Sequence, residues 1–372
     1  MKKYFILAAC ALVASVACTK SEKADGPDVK IAFQVADYKA QTKANVGAST
    51  EFKSFKCKAF LHADGYESIT QDFFGADGET IVPDALPNPT QWAPSHDYYW
   101  PKSNQSYINF VAWYDKNGAP TTATETALEW SSRVVAPGDT ILFANEAWRY
   151  NKNNDPATYG IEASKGVPML FHHALAQLSL KAKGVDLNDG ATNYWRVVLD
   201  TVKISGVYNT GTLALTNSDP SSTQEKAWSN ADGKVWSSPS NAVETALIER
   251  ESDLSVVDSL TVNPTVLLAG HNVLPQALVD GQQQVTVVFS IYRKNANGYY
   301  SKERIKHVFD LNDFTASTPV TAWEMNKKIT YTIIINPKTE KVLLDPVVEE
   351  WEEVDGGEYQ IGTGTDGERL NG

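Results

Sequence analysis

The chain reads as an all-β protein built from two sandwich domains. Aromatic and β-branched residues are abundant, with 10 Trp and 16 Tyr, and such side chains suit a pleated, half-buried surface. Apolar residues recur at every second position in run after run, which is the period of a strand, and a helical stripe is almost missing. Gly, Asn, Asp and Pro punctuate these runs at short intervals, as a many-stranded fold requires. A length of 372 residues makes two domains the default, and a 42% hydrophobic content is enough to fill both cores.

The first segment, residues 1–17, predicts an export signal. Lys2 and Lys3 precede an apolar run from Tyr4 to Ala17, shorter than the roughly 20 residues that span a bilayer. Two cysteines follow small residues. Cutting before Cys10 would leave the apolar "ALVASVA" on the mature chain, whereas cutting before Cys18 leaves the polar "TKSEKADGPD" downstream. Cys18 is therefore the expected lipidated N-terminus, and residues 18–27 a flexible tether. Several acyl chains on one cysteine make a firm anchor in a membrane. Cys57 then stands alone in the mature chain, so no internal disulfide is expected; its alternating neighbours read as a strand, with Cys57 a small core hydrophobe.

Residues 28–175 form the expected N-terminal domain. Ile31, Phe33 and Val35 share one face of a first strand, "AQTKANVGAST" interrupts as a loop, and Phe55, Cys57, Ala59 and Leu61 mark a second strand. "YINFVAWY" at 107–114 is apolar on both faces and reads as a central strand, closed by the Asn117–Gly118 turn; "DTILFAN" at 139–145 is a further short strand. In "VPMLFHHALAQLSLKAKG", alternation from Ala176 to Lys183 has no exception, which predicts one long strand across the domain boundary.

Residues 176–352 form the expected C-terminal domain. "WRVVLDTVKISGVYNTGTLAL" predicts two strands around Gly206 and Gly211. "QQVTVVFSIYRKNANGYYSKERIKHVFDL" is a hairpin across "KNANG". Ile329, Tyr331, Ile333 and Ile335 share a face of a late strand. In "KVLLDPVVEEW", Pro346 predicts two short edge strands, with Val342, Leu344, Val347 and Trp351 on roughly one side. Residues 353–372 are Gly-rich and read as a disordered tail.

Charge and motifs restrict the function. The formal net charge is −12, and losing Lys2 and Lys3 makes the mature chain more acidic still, so nucleic acid is excluded as a partner. The sequence carries no G-x-S-x-G, no H-E-x-x-H and no glycine-rich phosphate loop, so no catalytic residue, metal or cofactor is expected. His172 and His173 point to opposite faces of a strand and cannot chelate one ion. "HADG" at 62–65 and "GADGE" at 75–79 are Asp-Gly turns without the ligand spacing of a calcium loop.

Several segments taken in order resemble one family: "WAP" at 92–94, "YYWP" at 98–101, "YINFVAWY", "VPMLFHHALAQLSLKAKG", "LLAGHNVLPQAL" and "WEMNKKITYTI" from Trp323. Together with the lipoprotein signal, and over about 28–352, they are similar to the fimbrillins of Bacteroidales, lipoprotein precursors of fimbrial subunits and related surface proteins. The resemblance implies two tandem transthyretin-like β-sandwiches with Greek-key type sheets. It also implies a fimbrial subunit, tip or anchor at the cell outer membrane, with other fimbrial subunits as partners and adhesion as its work. In shaft subunits of that family a protease cuts after an N-terminal Arg and frees the first strand. Here Arg133 is the sole Arg between Cys18 and Val134, too late for that. The missing Arg favours a tip, anchor or uncut surface relative over a processed shaft subunit; if the chain is cut, the candidate sites are Lys39 and Lys43, with Lys43 preferred and Ala44 as the new first residue. A donor strand supplied to a neighbour would draw on Val342, Leu344, Val347 and Trp351. The alternative reading is a glycan-binding surface lipoprotein whose exposed rings, Tyr98, Trp100 and Trp148, stack on sugar faces.

Overall fold

A computed structural model of the chain describes residues 29–37, 52–63, 68–84, 91–103, 105–151, 166–187, 195–217, 225–226, 228, 234–249, 259–294, 300–312 and 320–350. The described residues contain strands and turns and no helix. The first half supplies β1 (Phe33–Asp37), β2 (Phe55–His62), β3 (Gln71–Asp72), β4 (Glu79–Pro83), β5 (Trp92–Pro94), β6 (Tyr107–Asp115), β7 (Thr122–Ala123), β8 (Ala127–Val134), β9 (Ile141–Ala144), β10 (Glu146–Tyr150) and β11 (Val167–His173). The second supplies β12 (Ala176–Gly184), β13 (Trp195–Thr216), β14 (Glu225–Lys226), β15 (Ser237–Glu249), β16 (Thr265–Val273), β17 (Gln276–Ala277), β18 (Gln284–Lys294), β19 (Tyr300–Asp310), β20 (Ala322–Trp323), β21 (Lys327–Asn336) and β22 (Lys341–Glu350).

The N-terminal sheet runs β14-β10-β6-β9-β11-β1-β5-β4-β2-β3, and β2 also pairs with β6. That extra ladder closes a ring through β6, β9, β11, β1, β5, β4 and β2. Closure removes free sheet edges. The strand interiors explain it: β6 is buried on both faces as its sequence demands, and alternate residues of β1 and β2 (Phe33, Val35, Phe55, Cys57, Ala59) fill the ring's core with Trp92, Phe110 and Phe171. Burial pushes the Cys57 thiol up, away from the thiolate a nucleophile needs.

The C-terminal half is two packed sheets, β16-β12-β21-β22 against the β13–β18–β19 part of a six-stranded sheet that ends in β8 and β7. Leu178 and Leu180, Val197 and Leu199, Val285, Val287 and Phe289, and Ile329 to Ile335 at alternate positions fill the space between. The predicted hairpin is β18–β19, paired over eleven positions from Gln284↔Asp310 to Lys294↔Tyr300.

Three expectations are corrected. The 167–184 run is two strands in different sheets, β11 pairing with β1 and β9, and β12 with β16 and β21. It breaks at Ala174–Leu175, both fully buried, so no turn residue marks the break. Conversely, 195–216 is one continuous 22-residue strand. Gly206 bends it at φ +75° without ending it, because β15 pairs across the bend on β13's other edge. β22 is likewise one strand, running through Pro346 without a register shift. Pro346 lies opposite Tyr331 on the outermost strand; lacking an N–H, it occupies a non-hydrogen-bonded pair and costs the ladder nothing.

The two halves share structure. The β7–β8 hairpin of the first half pairs with the last third of β13. A third core, containing Trp113, Trp130, Leu213, Trp236 and Leu274, draws on both halves. Trp236 Nε1 donates to the Ala174 carbonyl at 2.8 Å, pinning the residue pair where the chain changes sheets.

Candidate assembly surfaces

β1 occupies a slot in the ring. On one side it pairs in parallel with β11 over five positions, Phe33↔Val167 to Asp37↔Phe171. On the other, Phe33 lies opposite Trp92. Just upstream, Ile31 N–H donates to the Tyr98 carbonyl and Trp100 N–H to the Val29 carbonyl. Phe33 is fully buried, with edge-on contacts to Phe110 at 5.2 Å and Phe55 at 6.1 Å. Gly166 allows the chain to enter β11 beside β1: it has φ +98°, and a Cβ there would lie 2.9 Å from the Ala32 and Phe33 backbone.

The Trp92–Trp100 stretch that flanks β1 is fastened by one carboxylate. Glu79 accepts hydrogen bonds from Ser95 Oγ at 2.6 Å and Tyr98 Oη at 3.0 Å, and His96 Nδ1 lies 2.9 Å from it. Burial opposes its ionisation, but the bonds from Ser95, Tyr98 and His96 outweigh that and hold its carboxyl below the usual range. Ser, His and Glu adjoin here without forming a nucleophile: the serine proton goes to Glu79, and His96 faces the carboxylate. Sequence reasoning missed Glu79; its signal is an acid at an inward-facing position of "ETIVP", where an apolar residue would be expected.

The other surface is the outer edge of β22. Val342 and Leu344 are buried in the chain's own core, whereas Leu343, Val347 and Val348 are 46–47% exposed. Because the strand is continuous, Val347 faces away from Val342 and Leu344 rather than sharing their side. Trp351, Cys18, Lys43 and Ala44 lie outside the described residues.

The ring platform for a sugar is not at the surface. Trp100 is 6% exposed and Trp148 8%; Trp100 packs edge-on against Phe110, and the Tyr98 hydroxyl is taken by Glu79. Their large apolar area goes to the core instead. His173 is buried and His172 half-buried, its Nε2 2.9 Å from Asn145 Oδ1. Among the described residues no three His, Cys, Asp or Glu side chains gather closely enough to hold a metal ion, and no helix is long and apolar enough to cross a membrane.

A sequence profile of the family described as Fimbrillin-like matches residues 64–351. The chain belongs to the fimbrillin-like family. No curated protein matches it. Solved structures similar to this fimbrillin-like chain include a candidate cell adhesion protein from Bacteroides uniformis, 16% identical, covering 87% of this chain and 99% of that one, with a TM-score of 0.45. A fimbrial protein from Bacteroides vulgatus is 14% identical, covering 87% and 99%, with a TM-score of 0.44. A fimbrilin from Porphyromonas gingivalis is 11% identical, covering 87% and 98%, with a TM-score of 0.40.

Arg133 in this fimbrillin-like chain is engaged elsewhere. Its guanidinium grips Asp115 with two hydrogen bonds, 3.0 and 3.2 Å, and reaches Asp139 at 3.2 Å. The Arg133–Val134 bond lies inside a strand paired to β13 at Gly211 and Thr210. A trypsin-like protease needs an extended, accessible Arg, and this one is neither free nor on a loop.

Proposed function

We propose that the chain is a structural fimbrial subunit, or a tip or anchor lipoprotein of a fimbria, working at the cell surface in assembly and adhesion and not in catalysis. Its partners are other fimbrial subunits, in a homo- or hetero-polymer, and the outer-membrane lipid through acylated Cys18. In this reading the two halves are variants of tandem transthyretin-like sandwiches with Greek-key type sheets, the N-terminal one closed into a ring, and they assemble by β-strand complementation. Family membership supports the fimbrial class. The observation that carries the assembly step is β1: it is one stave of a closed ring, and its departure alone would open a slot between β11 and β5 lined by apolar side chains.

β1 does not leave unaided. Ile31, Phe33 and Val35 are each at most 3% exposed, and burying three such side chains contributes roughly 5–9 kcal/mol, comparable to a whole domain's net stability. Release therefore calls for a cut, and Lys43 is the proposed position because Arg133 is held in the fold. The Val342–Trp351 segment is the proposed donor. In the isolated chain β22 completes its own sheet through ten pairings with β21.

N-terminal sequencing of the surface-exposed form tests the reading. A start at Ala44 supports processing, and an intact Cys18 end on assembled fibres overturns the shaft role in favour of tip or anchor. Cys18→Ala should abolish palmitate labelling. Deleting 341–372 separates the two roles of β22: loss of folding assigns it to closing its own sheet, and a stable monomer unable to join fibres assigns it to a neighbour.

A further inference from the structure

The two ladders that hold β1 in the ring are unequal. Toward β11 it is paired over five positions, and the Val167 N–H donates to the Ala32 carbonyl at 2.7 Å where that ladder begins. Toward its other neighbour there is the Phe33–Trp92 pair and, upstream, a single bridge between Lys30 and Tyr99. Two hydrogen bonds make that bridge, Ile31 N–H to the Tyr98 carbonyl at 2.9 Å and Trp100 N–H to the Val29 carbonyl at 3.0 Å. The weaker seam of β1 is therefore the one along the Trp92–Trp100 stretch.

Within that stretch, residues 96–99 hang between two anchors. At one end the β4–β5 ladder stops where the Ser95 N–H donates to the Thr80 carbonyl at 2.9 Å. At the other, Trp100 is buried against Phe110. Between them His96, Asp97 and Tyr99 are exposed and Tyr98 is half-buried, so little apolar burial holds the segment down. The Lys30–Asp97 ion pair is exposed on both sides and contributes little. What fastens the segment is Tyr98, whose ring packs on Phe74 at 4.6 Å and whose hydroxyl ends on Glu79 at 3.0 Å, with His96 Nδ1 2.9 Å from the same oxygen. Hydrogen bonds to an ionised acceptor are about twice as strong as neutral ones.

We propose that residues 96–99 are a lid over the leading end of β1, latched by Glu79 through Tyr98 and His96, and that exchange of β1 begins where this lid lifts. Hinging at Ser95 and Trp100 breaks the bond between the Ile31 N–H and the Tyr98 carbonyl and leaves both groups free. They form a first pairing position for an extended segment of a second subunit. Meanwhile β11 still holds β1, and Trp100 stays in its core with its bond to Val29 intact. The part this lid plays in assembly rests on β1 being the released strand, as proposed above; its motion does not.

Residue-resolved amide hydrogen exchange on the uncut mature chain tests the lid. Glu79→Ala should speed exchange of the Ile31 N–H about tenfold or more, the worth of one hydrogen bond to a charged acceptor, and leave the Trp100 and Val167 N–H groups as protected as before. Glu79→Gln, which keeps an oxygen for Tyr98, should restore most of the Ile31 protection. Should Glu79→Ala fail to fold, Tyr98→Phe substitutes for it: the ring stays on Phe74, the latch bond goes, and Ile31 alone should exchange faster. An unchanged Ile31 rate, or equal acceleration at Ile31, Trp100 and Val167, would overturn the lid. The latch-free variant should also capture a labelled peptide of residues 341–350, the proposed donor, faster than the wild type does. Faster Ile31 exchange without faster capture would keep the lid and overturn its part in strand exchange.

Discussion

At the scale of single residues, the fold depends on a few positions where one atom is decisive. Gly206 is one. Its φ of +75° is the left-handed region, and an added Cβ would lie 1.9 Å from the Gln282 carbonyl oxygen. Gly138 shares the backbone conformation, at φ +84°, but has open space around it. Gly138→Ala should therefore cost about 1–2 kcal/mol from conformation alone, and Gly206→Ala at least twice as much, because β13 must also move from its neighbour. Urea denaturation of both variants measures the difference; equal losses would mean that the close approach carries no weight. The histidines make the fold acid-sensitive. Burial lowers His172 to about 4, and burial together with Lys328 and His172 lowers His173 to about 3, from an ordinary 6.5. Below pH 6.5 the unfolded chain holds more protons than the folded one, so stability falls as pH drops, and goes on falling until about pH 3–4. Glu79, with its depressed carboxyl, adds in the same direction below about pH 4.5. Each ring contributes up to about 1.4 kcal/mol per pH unit. His173→Gln should flatten stability measured between pH 6.5 and 5 by that amount, and an unchanged slope would show that the ring is not responsible.

At the scale of elements, the open edge of β22 is interrupted. The pairing phase sends the N–H groups of Val342, Leu344 and Val348 outward, and Pro346 leaves a gap between them. With Leu343, Val347 and Val348 exposed beside it, an uninterrupted edge would invite another strand. Pro346→Val should leave stability nearly unchanged and increase self-association in sedimentation velocity; a variant as monomeric as the wild type would remove that role from Pro346. Period-2 alternation made β2, β12 and β21 legible in the sequence, because one side chain in two must be buried; β6 was legible as a run apolar on both faces, and the β18–β19 hairpin by its "KNANG" turn. What misled was punctuation. Ala174–Leu175 turns the chain between sheets using two apolar residues that the third core buries, while Gly206 and Pro346, which ordinarily end strands, sit where a neighbouring ladder carries the strand past them. Of the candidate site, the alternation of Ile31, Phe33 and Val35 announced a buried strand, but ring closure depends on β2 meeting β6 some fifty residues away, which local pattern does not encode. Trp100 and Trp148 were ambiguous for a related reason: a tryptophan in a Pro-rich or polar stretch looks the same whether it points in or out.

At the scale of the whole molecule, the halves are joined by more than a linker. β13 pairs with β18 from Trp195 to Ser205 and with β8 from Thr210 to Thr216, and the third core is filled from both sides of the joint. Calorimetry should accordingly show one unfolding transition whose van't Hoff and calorimetric enthalpies agree, although chains of this length often show more. Trp236→Ala, which empties the joint, should cost about 3–5 kcal/mol and lower that single transition as a whole. Two separate peaks in the wild type would mean that the halves melt on their own.

The long strand β13 has a mechanical consequence. A pull that draws one half of the molecule from the other along this strand would pass through its covalent backbone between two ladders, one on β18 and one on β8. Both ladders would then be loaded in shear, with many rungs sharing the force at once, instead of being peeled one rung at a time. Compliance would concentrate at the bend at Gly206, where the strand can straighten before either ladder slips. Under tension the molecule would stretch by a small, recoverable amount and hold its length.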